Sequence, residues 1–116
     1  MSKPTYKDLC LLYLKSYEEK DLSQIGKIFS EDIVLRDWKI RVTGKYSALE
    51  ETRKNFESVN SITIEVLSTY ENKETVAAEL KITIDNAEEL YVVDVITFDS
   101  EYKIVSIRAY LGRGDN

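Results

Sequence analysis

Two aspartates stand where aspartate is costly. Asp94 lies in the middle of YVVDVITF (residues 91–98), and Asp37 ends the apolar run in DIVLRDW (residues 32–38). An ionised carboxylate does not leave water without being paired, hydrogen-bonded or neutralised. Asp94 therefore has three options. It stays protonated, it accepts bonds from Ser, Thr or backbone groups, or it pairs with Arg108 on the next apolar segment. The third requires Asp94 to share a strand face with Arg108, whose parity sets it opposite to Ile107, Ala109 and Leu111. An acid held neutral near pH 7 donates a hydrogen bond, and an ionised one takes a proton, so two such groups in one pocket could do acid–base chemistry. The chain has no histidine, which removes Ser–His and Cys–His nucleophile pairs and histidine-based metal sites. Its glycines, at 26, 44, 112 and 114, build no phosphate-cradling loop. No metal and no cofactor is expected, and GRGD at 112–115 reads as a loose tail.

These acids need elements to position them. Tyr6, Leu9, Cys10, Tyr13, Leu14 and Tyr17 recur at three- and four-residue spacing, which predicts a helix over 5–19 with Thr5 as N-cap. A short second helix follows Asp21, with Gln24 three residues on and Leu22, Ile25, Ile28 and Phe29 inward. A third is expected from Ser47, with Glu50 completing a capping box and Leu49, Phe56 and Val59 inward. Residues 76–84 then alternate with period two: even positions read Val, Ala, Leu, Ile, Ile. Residues 61–70 and 103–111 behave alike, with hairpin turns near ENKE, DNAEE and DSEY. Three helices in the first half and long strands after them predict one α+β domain, residues 1–116, with a curved, mostly antiparallel sheet. Both faces of 91–98 are apolar: Val92, Ile96 and Phe98 lie with Asp94, and Tyr91, Val93, Val95 and Thr97 lie opposite. A second subunit is expected over one of them, giving a homodimer.

Composition bounds the partners. Hydrophobic residues make up 43% and charged residues 32% of 116 residues, with a net charge of −5, an ordinary globular balance. That acidity argues against a nucleic-acid partner or an anionic membrane surface. No apolar run is long enough to span a bilayer, and no secretion signal is expected at the start. A single cysteine, Cys10, fits a cytoplasmic protein.

Taken in order, YLKSYEEKDLSQIGKIFSEDIVLRDW, GKYSALEETRKNF and DVITFDSEYKIVSIRAYLG resemble the nuclear transport factor 2-like (NTF2-like) superfamily, in its SnoaL-like branch. The resemblance covers nearly the whole chain. It implies a cone-shaped fold whose helices and sheet enclose a pocket. Within that superfamily the pocket residues are similar to those of ketosteroid isomerase. Its general base corresponds to Asp37, its oxyanion-binding tyrosine to Tyr13, and its protonated acid to Asp94. Tyr17, Phe29, Trp38, Phe56, Ile96, Ile107 and Leu111 are then expected to touch the ligand. The shorter DWKIRVTG stretch departs from that pattern and weighs against a steroid-sized substrate. Val92 stands where the limonene-epoxide-hydrolase type carries an arginine, and the scytalone-dehydratase type needs histidines.

The resemblance implies cofactor-free acid–base catalysis on a small apolar or carbonyl-containing ligand, as a steroid delta-isomerase-like isomerase or a SnoaL-like cyclase. Two other readings stand beside it: a non-catalytic module that binds an apolar ligand, and a dimerisation or association domain.

Overall fold

Capping chemistry sets the first two helices of the computed structural model, which describes residues 3–114. Helix α1 (Tyr6–Glu18) starts where the Thr5 hydroxyl accepts from the Asp8 amide (3.0 Å) and the Asp8 carboxylate accepts from the Thr5 amide (3.2 Å). Helix α2 (Leu22–Ile28) starts where Asp21 accepts from the Gln24 amide (3.0 Å). Strands β1 (Phe29–Arg36) and β2 (Arg41–Thr43) follow, then helix α3 (Lys45–Ser58). Helix α3 corrects the expectation of a Ser47 cap. Gly44, at φ +97°, is its N-cap, with no side-chain cap. Its amide donates to the Ile33 carbonyl (2.7 Å), so the tie to β1 fixes the start. Glu50 instead pairs with Arg53 along the helix (3.0 Å).

Four long strands complete the chain: β3 (Ile62–Asn72), β4 (Thr75–Ile84), β5 (Glu88–Phe98) and β6 (Ile104–Leu111). Their order in one six-stranded sheet is β2-β1-β6-β5-β4-β3. All pairs are antiparallel except β1 with β6, which is parallel. The β4–β5 turn uses no Asn-Gly. Asp85 and Asn86 supply the left-handed backbone (φ 55° and 58°), as those residue types can.

The alternation read from the sequence holds on β4 and β5 but lapses on β3, where a register shift between Val66 and Ser68 leaves Val66 and Leu67 both exposed, and on β6, where Ile104 and Ile107 are both buried. Val76, Ala78 and Leu80 of β4, and Val92, Asp94, Ile96 and Phe98 of β5, are buried on the face that meets the helices. Along that face the domain changes character. At one end Cys10, Ile25, Phe29, Ile33, Val76, Ile96, Phe98 and Ile104 form a solid core. At the other end the same strands diverge from the helices around a hollow.

The opposite face of β5 is half-buried. The guanidinium of Arg36 lies over the Tyr110 ring (4.9 Å) and donates to its hydroxyl (2.6 Å), so long neighbours cover part of it. The tail is less loose than expected. The Gly112 amide donates to the Tyr91 carbonyl (2.7 Å), and a Cβ at Gly114 would meet the Tyr91 ring at 2.6 Å, which only glycine avoids. Asp115 of GRGD lies outside the described residues. Among the described residues no helix is long and apolar enough to cross a membrane.

Candidate functional site

The hollow end is a cavity of about 330 Å³, bounded by α1, α3, the β1–β2 turn and the inner face of the sheet. Strands β4, β5 and β6 each line it with one end and continue into the core with the other. On β5, Glu88, Leu90, Val92 and Asp94 line the cavity, while Ile96 and Phe98 continue into solid packing. On β4, Ile84, Ile82 and Leu80 line it before Ala78 and Val76 close over. Asp94 therefore occupies the floor. Its cross-strand neighbours are Ala78 and Ala109, two of the smallest side chains, and their size leaves space about the carboxyl.

Asp94 is 8% exposed. Register removes the ion-pair option, because Arg108 lies opposite Val95 on the outer face and donates to the Ser106 hydroxyl (3.1 Å). Among the described residues no group hydrogen-bonds the Asp94 carboxyl or the Tyr13 hydroxyl, and no buried side-chain polar atom is left enclosed without a partner. Both groups thus open onto the cavity. Burial, reinforced by the charge of Asp37, pushes the Asp94 carboxyl up to about 7. Burial, followed by the charge of Asp94, raises the Tyr13 phenol well above its ordinary value and keeps it a neutral donor. Cys10, deeper than Tyr13 on the same helix, is pushed up to about 12 by burial and then by Asp94, which makes it an inert thiol.

Asp37 is placed differently. It stands at the end of β1, half-exposed, at the cavity mouth. Its Oδ1 accepts from the amides of Lys39 (2.7 Å) and Ile40 (2.9 Å), and its own amide donates to the Ile40 carbonyl (3.0 Å). Oδ2 has no protein partner among the described residues. Trp38, in the same turn, is 43% exposed and also lines the cavity.

Of the residues singled out from the sequence, Tyr13, Tyr17, Asp37, Trp38, Asp94 and Ile107 line this one cavity. Four others do not. Phe29 packs behind Tyr13 (ring centroids 6.0 Å) and Phe56 behind Tyr17 (4.8 Å), so both support the wall from the core side. Ile96 lies beneath the floor, fully buried. Leu111, at the end of β6, is 47% exposed and sits with Glu89, Tyr91 and Gly112 outside the cavity. Sequence reading missed Asn55, whose amide donates to the Tyr17 hydroxyl (3.3 Å), and the two floor alanines. Burial, offset by that bond, raises the Tyr17 phenol. Among the described residues, no three acidic or thiol groups come together as metal ligands.

No protein-family model and no curated protein sequence matches the chain. Solved structures do. A candidate ketosteroid isomerase from Kribbella flavida is 13% identical, with 96% of this chain and 80% of that one covered at a TM-score of 0.82. A candidate SnoaL-like polyketide cyclase from Shewanella putrefaciens is 12% identical, covering 95% and 81% at 0.80. The epoxide hydrolase/cyclase-like enzyme SalBIII, of pyran ring formation in salinomycin, is 23% identical, covering 92% and 90% at 0.80. The chain has the NTF2-like fold, shared with an NTF2-like protein of unknown function from Cytophaga hutchinsonii that is 14% identical, covering 96% and 93% at 0.80.

Proposed function

We propose that this protein is a cofactor-free acid–base enzyme for a small, largely apolar carbonyl compound. One observation carries the reading: Asp37, Tyr13 and Asp94, 81 residues apart at the extremes of the sequence, line a single cavity whose other walls are mostly aliphatic and aromatic. Asp37, through Oδ2, takes a proton from the carbon beside the carbonyl. The C–H electron pair moves into the new C–C double bond, and the carbonyl π pair moves onto oxygen. Tyr13 and protonated Asp94 donate to that oxygen from the floor, where donors aimed at developing charge in a dry site matter most. Return of the proton to another carbon gives isomerisation, and attack of the enolate on an internal electrophile gives an aldol-type cyclisation.

A volume near the lower end of the ~300–1,000 Å³ usual for ligand sites fits a compact substrate better than a steroid. Val92 beside Asp94 offers no cation to an epoxide. The ketosteroid isomerase and cyclase neighbours are in keeping with this chemistry. A pure association domain has no need of such a hollow, and a passive binder has no need of an acid held near neutrality beneath it. The test begins with mass spectrometry of ligand carried through purification, followed by turnover assays on that compound. Asp37→Asn should lower kcat by about 10²–10⁴-fold with folding intact; retained turnover removes Asp37 as the base.

We also propose a cytoplasmic homodimer, formed over the outer face through Val93, Val95 and Tyr110. Sedimentation should give a dimer for the parent protein and a monomer for Val95→Glu.

A further inference from the structure

The β1–β2 turn joins two things that need not be joined. The carboxyl that would move the proton also closes the turn carrying Trp38. Oδ1 of Asp37 accepts two amides from this turn, Lys39 (2.7 Å) and Ile40 (2.9 Å), while the Asp37 amide donates to the Ile40 carbonyl (3.0 Å). Between them stands Trp38, on the cavity wall and 43% exposed, which defines a position at the mouth. Asn55 and Ser58 of α3 and Glu88 and Leu90 of β5 line the same cavity.

We infer that Asp37 is a divided residue, with Oδ1 a structural acceptor that seats Trp38 over the cavity mouth and Oδ2 the only oxygen left for the substrate. The role of Oδ2 rests on the acid–base reading above; the role of Oδ1 does not. A carboxylate is the stronger acceptor for two amides, and a neutral acid is weaker. With Oδ2 ionised, the turn is clamped and Trp38 narrows the mouth around a bound substrate. Once Oδ2 holds the substrate's proton, Oδ1 becomes the carbonyl oxygen of a neutral acid and the clamp slackens. Trp38 is thereby a specificity-determining residue whose seating follows the protonation state of the base beside it.

Trp38 is the only tryptophan in the chain, beside eight tyrosines, so emission excited at the red edge, where tyrosine does not absorb, reports on this turn alone. Acrylamide quenching, with no ligand present, measures its exposure. Asparagine at position 37 keeps an oxygen able to accept both amides, and alanine keeps none. Asp37→Asn, a neutral acceptor like the protonated acid, should quench between the parent and Asp37→Ala. Asp37→Ala should quench at least about twofold more strongly, since two acceptor bonds are lost from an exposed turn. Equal quenching in all three proteins overturns the inference, as does an Asn variant that behaves like the Ala variant. If Asp37→Ala does not fold, NMR of the parent decides. The Lys39 and Ile40 amide protons should shift with the same midpoint as the Asp37 carboxyl carbon, and amides that stay still while it titrates overturn the inference. Neither readout needs turnover. A protein with an intact clamp and no activity would sink the acid–base reading and leave the clamp standing.

Discussion

The mouth and the floor of the cavity each hold an aspartate, and the two settings are opposite. At the mouth, Asp37 is half-exposed with one oxygen held by two amides. At the floor, Asp94 has no hydrogen-bond donor among the described residues, and its strand neighbours Val92, Ala78 and Ala109 are small or apolar. The same side chain is thus given two characters by its surroundings. Donors and water favour the ionised form, and desolvation favours the neutral one. That difference is what a base and a hydrogen-bonding acid require of two carboxyls in one site.

The sharpest way to break the comparison is to exchange the acids' roles in turn. The largest expected effect is the loss of turnover in Asp37→Asn given above. Next comes Asp94→Ala, for which kcat should drop by about 10²–10³-fold through loss of a donor. If the proposed acid–base reading holds, kcat of the parent protein should fall as pH rises through about 7, where Asp94 loses its donor proton. That limb should vanish in Asp94→Asn. A flat profile in the parent across this range would remove Asp94 from the reaction, and so would an ordinary carboxyl midpoint by NMR.

A smaller effect concerns stability. The folded Asp94 titrates at about 7 against an ordinary 3.8. Between those values the folded chain keeps a proton that the unfolded chain has released, so folding weakens as pH rises. Relative to Asp94→Asn, the parent should be most favoured below 3.8 and should lose a few kcal/mol by pH 8, with no further change above. Urea melts of both proteins at several pH values give the difference, and a constant gap would show that Asp94 is not desolvated. The smallest effect is expected from Ala109→Val, which narrows the floor. Ligand affinity should fall about tenfold while the melting temperature moves by only a few degrees.

Much of this could be read from the chain alone, and the unread part has a common cause. Period-two alternation set Asp94 on the same face as Val92, Ile96 and Phe98, because parity is a local property of a strand. How deep each residue of that face lies is not local. Ile96 was expected at the ligand and lies beneath it, since depth depends on where the helices close over the sheet. Phe29 and Phe56 were rightly read as inward but stand behind Tyr13 and Tyr17, a layering that follows from helix-to-sheet distance. Ala78 and Ala109 were read only by strand parity and not as part of the site, because neither has chemistry of its own. Their value comes from flanking Asp94, and cross-strand register joins segments 16 and 15 residues distant from it. Gly44 was visible as a glycine, yet its positive φ was needed to show that α3 begins at Lys45.

The parallel pairing of β1 with β6 has a consequence for assembly. The strand that leads into Asp37 meets the strand bearing Asp94 only through β6. The two acids therefore take their places in one cavity only when β6 has paired with β1 on one side and β5 on the other, so a chain lacking residues 104–111 would hold both acids without the strand that joins them.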